Sequence, residues 1–309
     1  MAGPEHNGYN MTSTTKERPR PRMGKQTFSQ FGHKLLTFFK ETWRSILALC
    51  VMGAVTAGVW TAPHTHTRLF PVTFFQESGD IVWTQFAYPY TEPVFSSLAA
   101  ALVCIIIPIA IILLAQIWLR SFCDAANGIL GLVYSLVTGT CLQVIIKKTI
   151  GGLRPHFLTV CQPVIPQEAI GVGYQNIMFT AEQVCTGDKD RIRNALESFP
   201  SGHSEIAFAG FFYLSIWLFT HLRIQSRYRP GYWRMVACCL PTLLATYLAS
   251  TLVLGYHHHG YDVIFGVLIG ILTSLFGYRM VYKSVWNKRL NAVPSCHDNH
   301  EEKETILPK

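Results

Sequence analysis

Pro93–Leu119 runs for 27 residues without a charged side chain, and three other stretches do the same: Ser45–Ala62 over 18 residues, Ala125–Ile146 over 22 and Met235–Tyr256 over 22. A helix needs roughly 20 mostly apolar residues to cross the hydrocarbon core of a bilayer, so each run predicts a span. Two shorter runs, Ile206–Leu222 and Val263–Tyr278, reach that length when flanking polar side chains snorkel to the interface. Only 14% of the chain is charged, against about 25% in soluble domains, which argues against a soluble globule. The first run begins near residue 45, too late for an ordinary cleaved signal peptide, and is read as a true span. The expected fold is an all-α integral membrane protein with six transmembrane helices.

Orientation follows the distribution of Lys and Arg. Eight precede the first run (Lys16, Arg18, Arg20, Arg22, Lys25, Lys34, Lys40 and Arg44), residues 63–92 hold only Arg68, residues 223–234 hold four and the segment from Arg279 onward holds six. An even number of spans puts both basic tails on one side, expected to be the cytoplasm. The expected organisation is a basic, disordered tail at 1–43, a six-helix membrane domain at 44–285 and a polar cytoplasmic tail at 286–309. Residues 1–27 and 291–309 have little to bury. The basic tail also suits anionic headgroups, a reading that stands beside a pure topology signal. The sequon Asn10-Met11-Thr12 falls on the cytoplasmic side and is discounted. The long extracytoplasmic loop, 147–204, carries six basic and five acidic residues. Glu168, Glu182, Asp188 and Asp190 within it read as solvated surface. Cys161 and Cys185 lie in this loop, in an oxidising setting, where a bridge between them is one reading.

With this topology three polar segments meet at the extracytoplasmic ends of helices 3 to 6. The first is KKTIGGLRPHF, Lys147 to Phe157. Two cations on a stretch stiffened by Pro155 suit an anion with several oxygens: Arg154 supplies a planar fork and Lys147 a point charge. A juxtamembrane basic cluster that holds lipid headgroups fits that segment as well. The second is SFPSGHSEIAF, Ser198 to Phe208. Here Ser201 and Gly202 open a helix, whose N-terminal N–H groups favour anions, and His203 is placed to give a proton to a leaving oxygen. The bland reading is helix capping with an incidental histidine.

The third segment is LVLGYHHHGYDV, residues 252–263. Asp262 follows His258 by four residues, which on a helix is one face in adjacent turns. A carboxylate on one ring nitrogen fixes the tautomer and frees the other as a nucleophile. His257 and His259 have no such partner and read as exposed neighbours rather than phosphate contacts. Successive helical residues diverge by about 100°, and no paired metal-ligand spacing is present, so no metal is expected.

The order Lys147-x6-Arg154-Pro155, Pro200-Ser201-Gly202-His203, His258-x3-Asp262 resembles the type 2 phosphatidic acid phosphatase superfamily, and within it the six-span lipid phosphate phosphatases. The resemblance covers roughly residues 40–285. It implies His258 as the nucleophile that takes the phosphoryl group, Asp262 as its orienter and His203 as the acid and then base. It also implies Lys147, Arg154, Ser201 and Gly202 as phosphate holders, with no metal and no cofactor. Expected partners are a lipid phosphate and membrane lipids, with no nucleic acid; a homo-oligomer stays open. One position departs: the family's third motif has an arginine six residues before the nucleophilic histidine, and this chain has Leu252. A lost preorganised donor can cost roughly 10²–10³ in rate. Lys148, His257 and His259 are the nearby substitutes. Three readings follow: a phosphatase of phosphatidate, lysophosphatidate or similar phosphomonoesters, an isoprenoid diphosphate phosphatase, or a weakly active or inactive lipid-phosphate binding protein.

Overall fold

The computed structural model describes residues 26–62, 68–72, 83–93, 96–165, 169–225 and 229–295. The sequon at Asn10, Glu168 and the outer parts of both tails lie outside the described residues. The chain divides into two units at Thr42 and Trp43. The first contains the beginning of α1 (Gln26–Thr61), whose helix starts well before its uncharged run.

The second unit contains the rest. Its long helices are α2 (Ser97–Leu119), α3 (Phe122–Thr149), α7 (Gly202–His221), α8 (Tyr232–Leu254) and α9 (Gly260–Val281). Between α3 and α7 come α4 (Phe157–Cys161), α5 (Ala181–Val184) and α6 (Lys189–Ala195). Caps set several starts. Ser96, Ser121 and Ser201 each accept an N–H from the first turn that follows, satisfying donors that a helix cannot pair internally. Among the described residues, five helices are long and apolar enough to cross a membrane: Gly32–Thr61, Leu98–Leu119, Phe122–Thr149, Tyr232–Leu254 and Gly260–Val281. The chain is therefore a mostly helical, multi-pass membrane protein.

Helix α7 is central and packs against α2, α3, α8 and α9, while α3 also packs on α9. Its polar His203, Ser204, Glu205 and Ser215 dilute an otherwise apolar run, and most of its side chains are buried. Close approach of α9 depends on Gly266 and Gly270, spaced as G-x-x-x-G. A methyl at Gly266 would strike the Ser201 carbonyl, and one at Gly270 would lie 2.6 Å from the Glu205 carbonyl. Small residues at this spacing let membrane helices pack backbone to backbone. Outward faces of α2, α8 and α9 carry exposed Ile106, Leu114, Leu243, Leu268 and Phe276, as expected of surfaces solvated by lipid.

At the end of the bundle away from the loop 147–204, buried Asp124 is satisfied by His221 Nε2 at 2.8 Å, Tyr282 Oη at 2.9 Å and Gln116 Nε2 at 3.0 Å. Residues 291–295 do not continue as an unstructured tail. Asn291 is buried, its carbonyl accepts from Tyr278 Oη, and Pro294 bridges to Tyr282. Tyrosine hydroxyls buried at this helix end need partners, and the turning chain supplies one.

The loop 147–204 is more than a solvated connection. Phe70, Phe157, Leu158, Phe179, Val184 and Ile192 form a core of their own. Strand β1 (Leu69–Pro71) pairs antiparallel with β2 (Met178–Thr180). A disulfide joins Cys161 to Cys185. Glu182, Asp188 and Asp190 are exposed, but Asp188 also caps α6 through Arg191 N–H.

Candidate active site

The sequence segments carrying Lys147, His203 and His258 converge where α3 ends, α7 begins and α8 passes into α9. Two glycines let the first segment turn. Gly151 (φ +59°) and Gly152 (φ +145°) adopt angles that a side chain resists. From there Gly152 N–H donates to Leu196 O and Arg154 N–H to Ala195 O, each at 2.9 Å. The N-terminus of α7 is joined to the first turn of α9 by Ser201 N–H on Asp262 O at 3.0 Å.

His258 is not helical. It stands just before His259, the N-cap of α9, with Asp262 at the third helical position. The expected one-face pairing is therefore replaced by a pairing across the cap. His258 Nδ1 lies 3.6 Å from Asp262 Oδ2, a separation longer than a hydrogen bond. The same oxygen accepts from Ser198 Oγ at 2.5 Å and from His259 N–H at 3.0 Å. His258 is 2% exposed and Asp262 fully buried. Burial, then the positive charges of Arg154 and Lys147, hold the His258 proton affinity well below the ordinary imidazole range, so its ring is neutral.

An open cavity reaches His258 and is lined by Arg154, His203, His257, His156, Arg191 and Asn194, with Tyr90, Pro93 and Leu252. Arg154 donates to Asn194 Oδ1 at 2.7 Å, while its buried Nε has no hydrogen-bond partner. Burial lowers its pKa to about 10, with the Glu197 and Asp262 carboxylates opposing. His203 Nε2 is also buried without a partner.

Lys147, Ser201, Gly202 and Asp262 sit behind the cavity wall. Lys147 is buried and donates to Glu197 O at 3.1 Å. Ser201 Oγ is taken up as the α7 cap, 3.0 Å from Ser204 Oγ. Gly202 lies against Gln143, whose Nε2 would meet an added methyl at 3.1 Å. Lys148 is paired with Glu197 Oε1 at 3.0 Å.

His257 is a correction: it is 5% exposed, not an exposed neighbour, and its Nε2 has no partner. Burial and Arg154 lower its pKa. His259 is half-buried and spends Nε2 on Leu153 O at 3.1 Å. Sequence reasoning also missed Ser198, His156, Asn194 and Arg191. Ser198 stands in the same segment as His203, but nothing in its spacing announces a contact with Asp262, 64 residues away.

A second cavity adjoins the first and shares His203, Leu252, His257 and Pro93 with it. Its other walls are mostly apolar: Ala100 and Cys104 of α2, Ala207 of α7 and Leu248 of α8. A segment above, residues 83–93, is pinned by Thr91 Oγ1 on Gly255 O at 2.8 Å and by Tyr88 stacked on Tyr256. Among the described residues no group of three or more His, Cys, Asp or Glu is placed to hold a metal ion.

A family model described as "PAP2 superfamily" matches residues 128–286. The chain is similar to "Lipid phosphate phosphatase 2" of Arabidopsis thaliana, 29% identical over 261 residues, covering 84% of this chain and 83% of that protein. It is 36% identical to "Diacylglycerol pyrophosphate phosphatase 1" of Saccharomyces cerevisiae over 160 residues, about half of each chain. It is 31% identical to "Probable lipid phosphate phosphatase 4" of Arabidopsis thaliana over 207 residues, 66% of this chain and 64% of that protein. No solved structure matches.

Proposed function

The chain belongs to the PAP2 superfamily, in its lipid phosphate phosphatase branch, and from that premise we propose that it hydrolyses lipid phosphomonoesters such as phosphatidate and lysophosphatidate through a phosphohistidine intermediate. It is a membrane phosphatase, a hydrolase of phosphoric monoesters. The observation that carries the mechanism is the buried, neutral His258 beside Asp262, at the floor of a cavity that Arg154 and His203 also line.

Asp262 keeps His258 Nδ1 toward itself and leaves Nε2 to attack phosphorus. As the N–P bond forms, the P–O bond to the lipid breaks and His203 gives the leaving oxygen its proton. Water then loses a proton to His203 and attacks phosphorus, the N–P bond breaks, and the alcohol and inorganic phosphate are released. Two steps of this kind replace one harder displacement. Arg154 and Lys147 balance the charge on the phosphoryl oxygens, together with the N–H groups at Gly202 and the Ser201 hydroxyl once it turns from its cap.

The apolar cavity suits the lipid side of the substrate. His203, Leu252 and His257 form its boundary with the polar cavity, which is where the leaving oxygen would lie. Six spans, α1, α2, α3, α7, α8 and α9, fit the basic tails on the cytoplasmic side and the site on the lumenal or extracellular side. Leu252 keeps a second reading in view, an isoprenoid diphosphate as substrate.

The test is phosphate release from phosphatidate in detergent micelles with EDTA present. Release by the wild type that vanishes in His258→Ala supports the reading. Release that needs added Mg²⁺, or that survives His258→Ala, overturns it.

A further inference from the structure

Leu252 is 6% exposed and turns an apolar wall to both cavities, so the membrane side of the site lacks a cation there. The three nearby substitutes do not fill the gap. Lys148 is paired with Glu197 and lines neither cavity. His259 is committed to Leu153 O. His257 does line both cavities, but burial and Arg154 lower its pKa, so it brings no standing charge.

A cation arrives instead from the opposite side. Arg191 lines the polar cavity together with Arg154, His203 and His258. It lies on α6, three residues before Asn194, the residue that holds the Arg154 guanidinium at 2.7 Å. Residues three apart on a helix are neighbours, so one face of α6 anchors the first guanidinium and presents the second. The helix cannot drift from the first motif, because Arg154 N–H is bonded to Ala195 O and Gly152 N–H to Leu196 O. Arg191 itself is steered by the Tyr90 ring, with Cζ 5.1 Å from the ring centroid, a cation–π distance.

We propose that Arg191 is a phosphoryl-binding residue of this site, supplying from the extramembrane helix α6 the positive charge that Leu252 withholds from the membrane side. The inference rests on the phosphatase reading above. A guanidinium forks onto two phosphoryl oxygens, and from the loop side it can do so while the Leu252 side stays free for the lipid. The phosphoryl group is then gripped from outside the bilayer rather than from α8.

The experiment compares wild type, Arg191→Ala and Arg191→Lys in detergent. It reads phosphate release from phosphatidate, inhibition by orthovanadate as a phosphoryl analogue, and the thermal shift produced by vanadate. Arg191 is exposed, so folding of the alanine variant is not at stake. The expected loss in kcat/KM for Arg191→Ala is about 10²-fold, with vanadate inhibition weakened in parallel and part of both recovered by Arg191→Lys. An alanine variant within about threefold of the wild type in kcat/KM and vanadate affinity overturns the proposal while leaving the phosphatase reading intact. A wild type silent on phosphatidate sinks that reading instead. The vanadate thermal shift then decides Arg191: a shift lost in Arg191→Ala supports it, and an unchanged shift overturns it.

Discussion

Asp262 Oδ2 stands 3.6 Å from His258 Nδ1 and is gripped from two other directions, by Ser198 Oγ and by His259 N–H. The carboxylate is thus fixed by the loop before α7 and by the cap of α9 before it touches the histidine. Replacing it by the isosteric amide should keep the packing and lose the tautomer control. Asp262→Asn is expected to lower phosphate release by about 10²–10⁴-fold, the range that losing an orienting carboxylate produces in a triad. Ser198→Ala frees one of the two grips and should cost about tenfold. Unchanged helical circular dichroism would separate these losses from unfolding. A wild-type rate in Asp262→Asn would remove the orienting role.

Much of this site was legible because its residues stand, next to apolar runs, at the spacings of the motifs the chain resembles. Lys147, Arg154, Ser201, Gly202, His203, His258 and Asp262 all fall in one region. Their division into cavity wall and supporting layer was not legible, because it depends on which way side chains turn at helix ends. The spacing of His258 and Asp262 suggested a shared helix face, yet the helix starts two residues too late for that, at Gly260. His257 looked exposed because it borders a loop; it is buried because residues 83–93 are pinned above it by Thr91 and Tyr88. Arg191 and Asn194 belong to a stretch rich in charge, which composition reads as solvated. The backbone bonds of Arg154 and Gly152 to α6, together with Ile192 in the loop core, bring them to the site.

Stability should depend on pH through the buried imidazoles outside the membrane spans. Burial lowers His156 from 6.5 to about 4, opposed by its bond to Tyr256 O and helped by Arg154. Burial also lowers His257 and His258. Between pH 6.5 and about 4 the unfolded chain takes up a proton at His156 that the folded chain refuses. Stability is therefore full above pH 6.5 and falls as the pH drops through this window. Melting temperature in detergent should be flat above neutrality and decline below it, with a shallower decline in His156→Gln. Equal slopes in the two proteins would assign the acid sensitivity elsewhere.

The Cys161–Cys185 bridge closes a loop with a sequence separation of 24. Loop-closure entropy at this length corresponds to about 3 kcal/mol. The bridge ties the end of α4 to the approach to α6, the helix that carries Asn194 and Arg191. The double variant Cys161→Ser/Cys185→Ser should melt at a lower temperature and release phosphate more slowly, with KM rising more than kcat falls. Reductant should reproduce both effects in the wild type. A variant as stable and as active as the wild type would mean that the core around Phe157 and Val184 alone holds α6 in place.

Apolar walls from α2, α7 and α8 adjoin the polar cavity, and Leu248 on α8 is half-buried along them. If this space holds the lipid next to its phosphate, a bulkier side chain there should interfere with lipid and not with phosphoryl chemistry. Leu248→Trp is therefore expected to raise KM for long-chain phosphatidate about tenfold, the effect of losing roughly two buried methylenes of contact. Hydrolysis of p-nitrophenyl phosphate, which has no chain, should stay within about twofold of the wild type. The pair of substrates guards against a general loss of fold, which would depress both rates together. Equal KM values for phosphatidate in the variant and wild type would place the lipid on another face of the bundle, and the shared boundary at His203, Leu252 and His257 would then have to be reached from the open mouth beside Arg154.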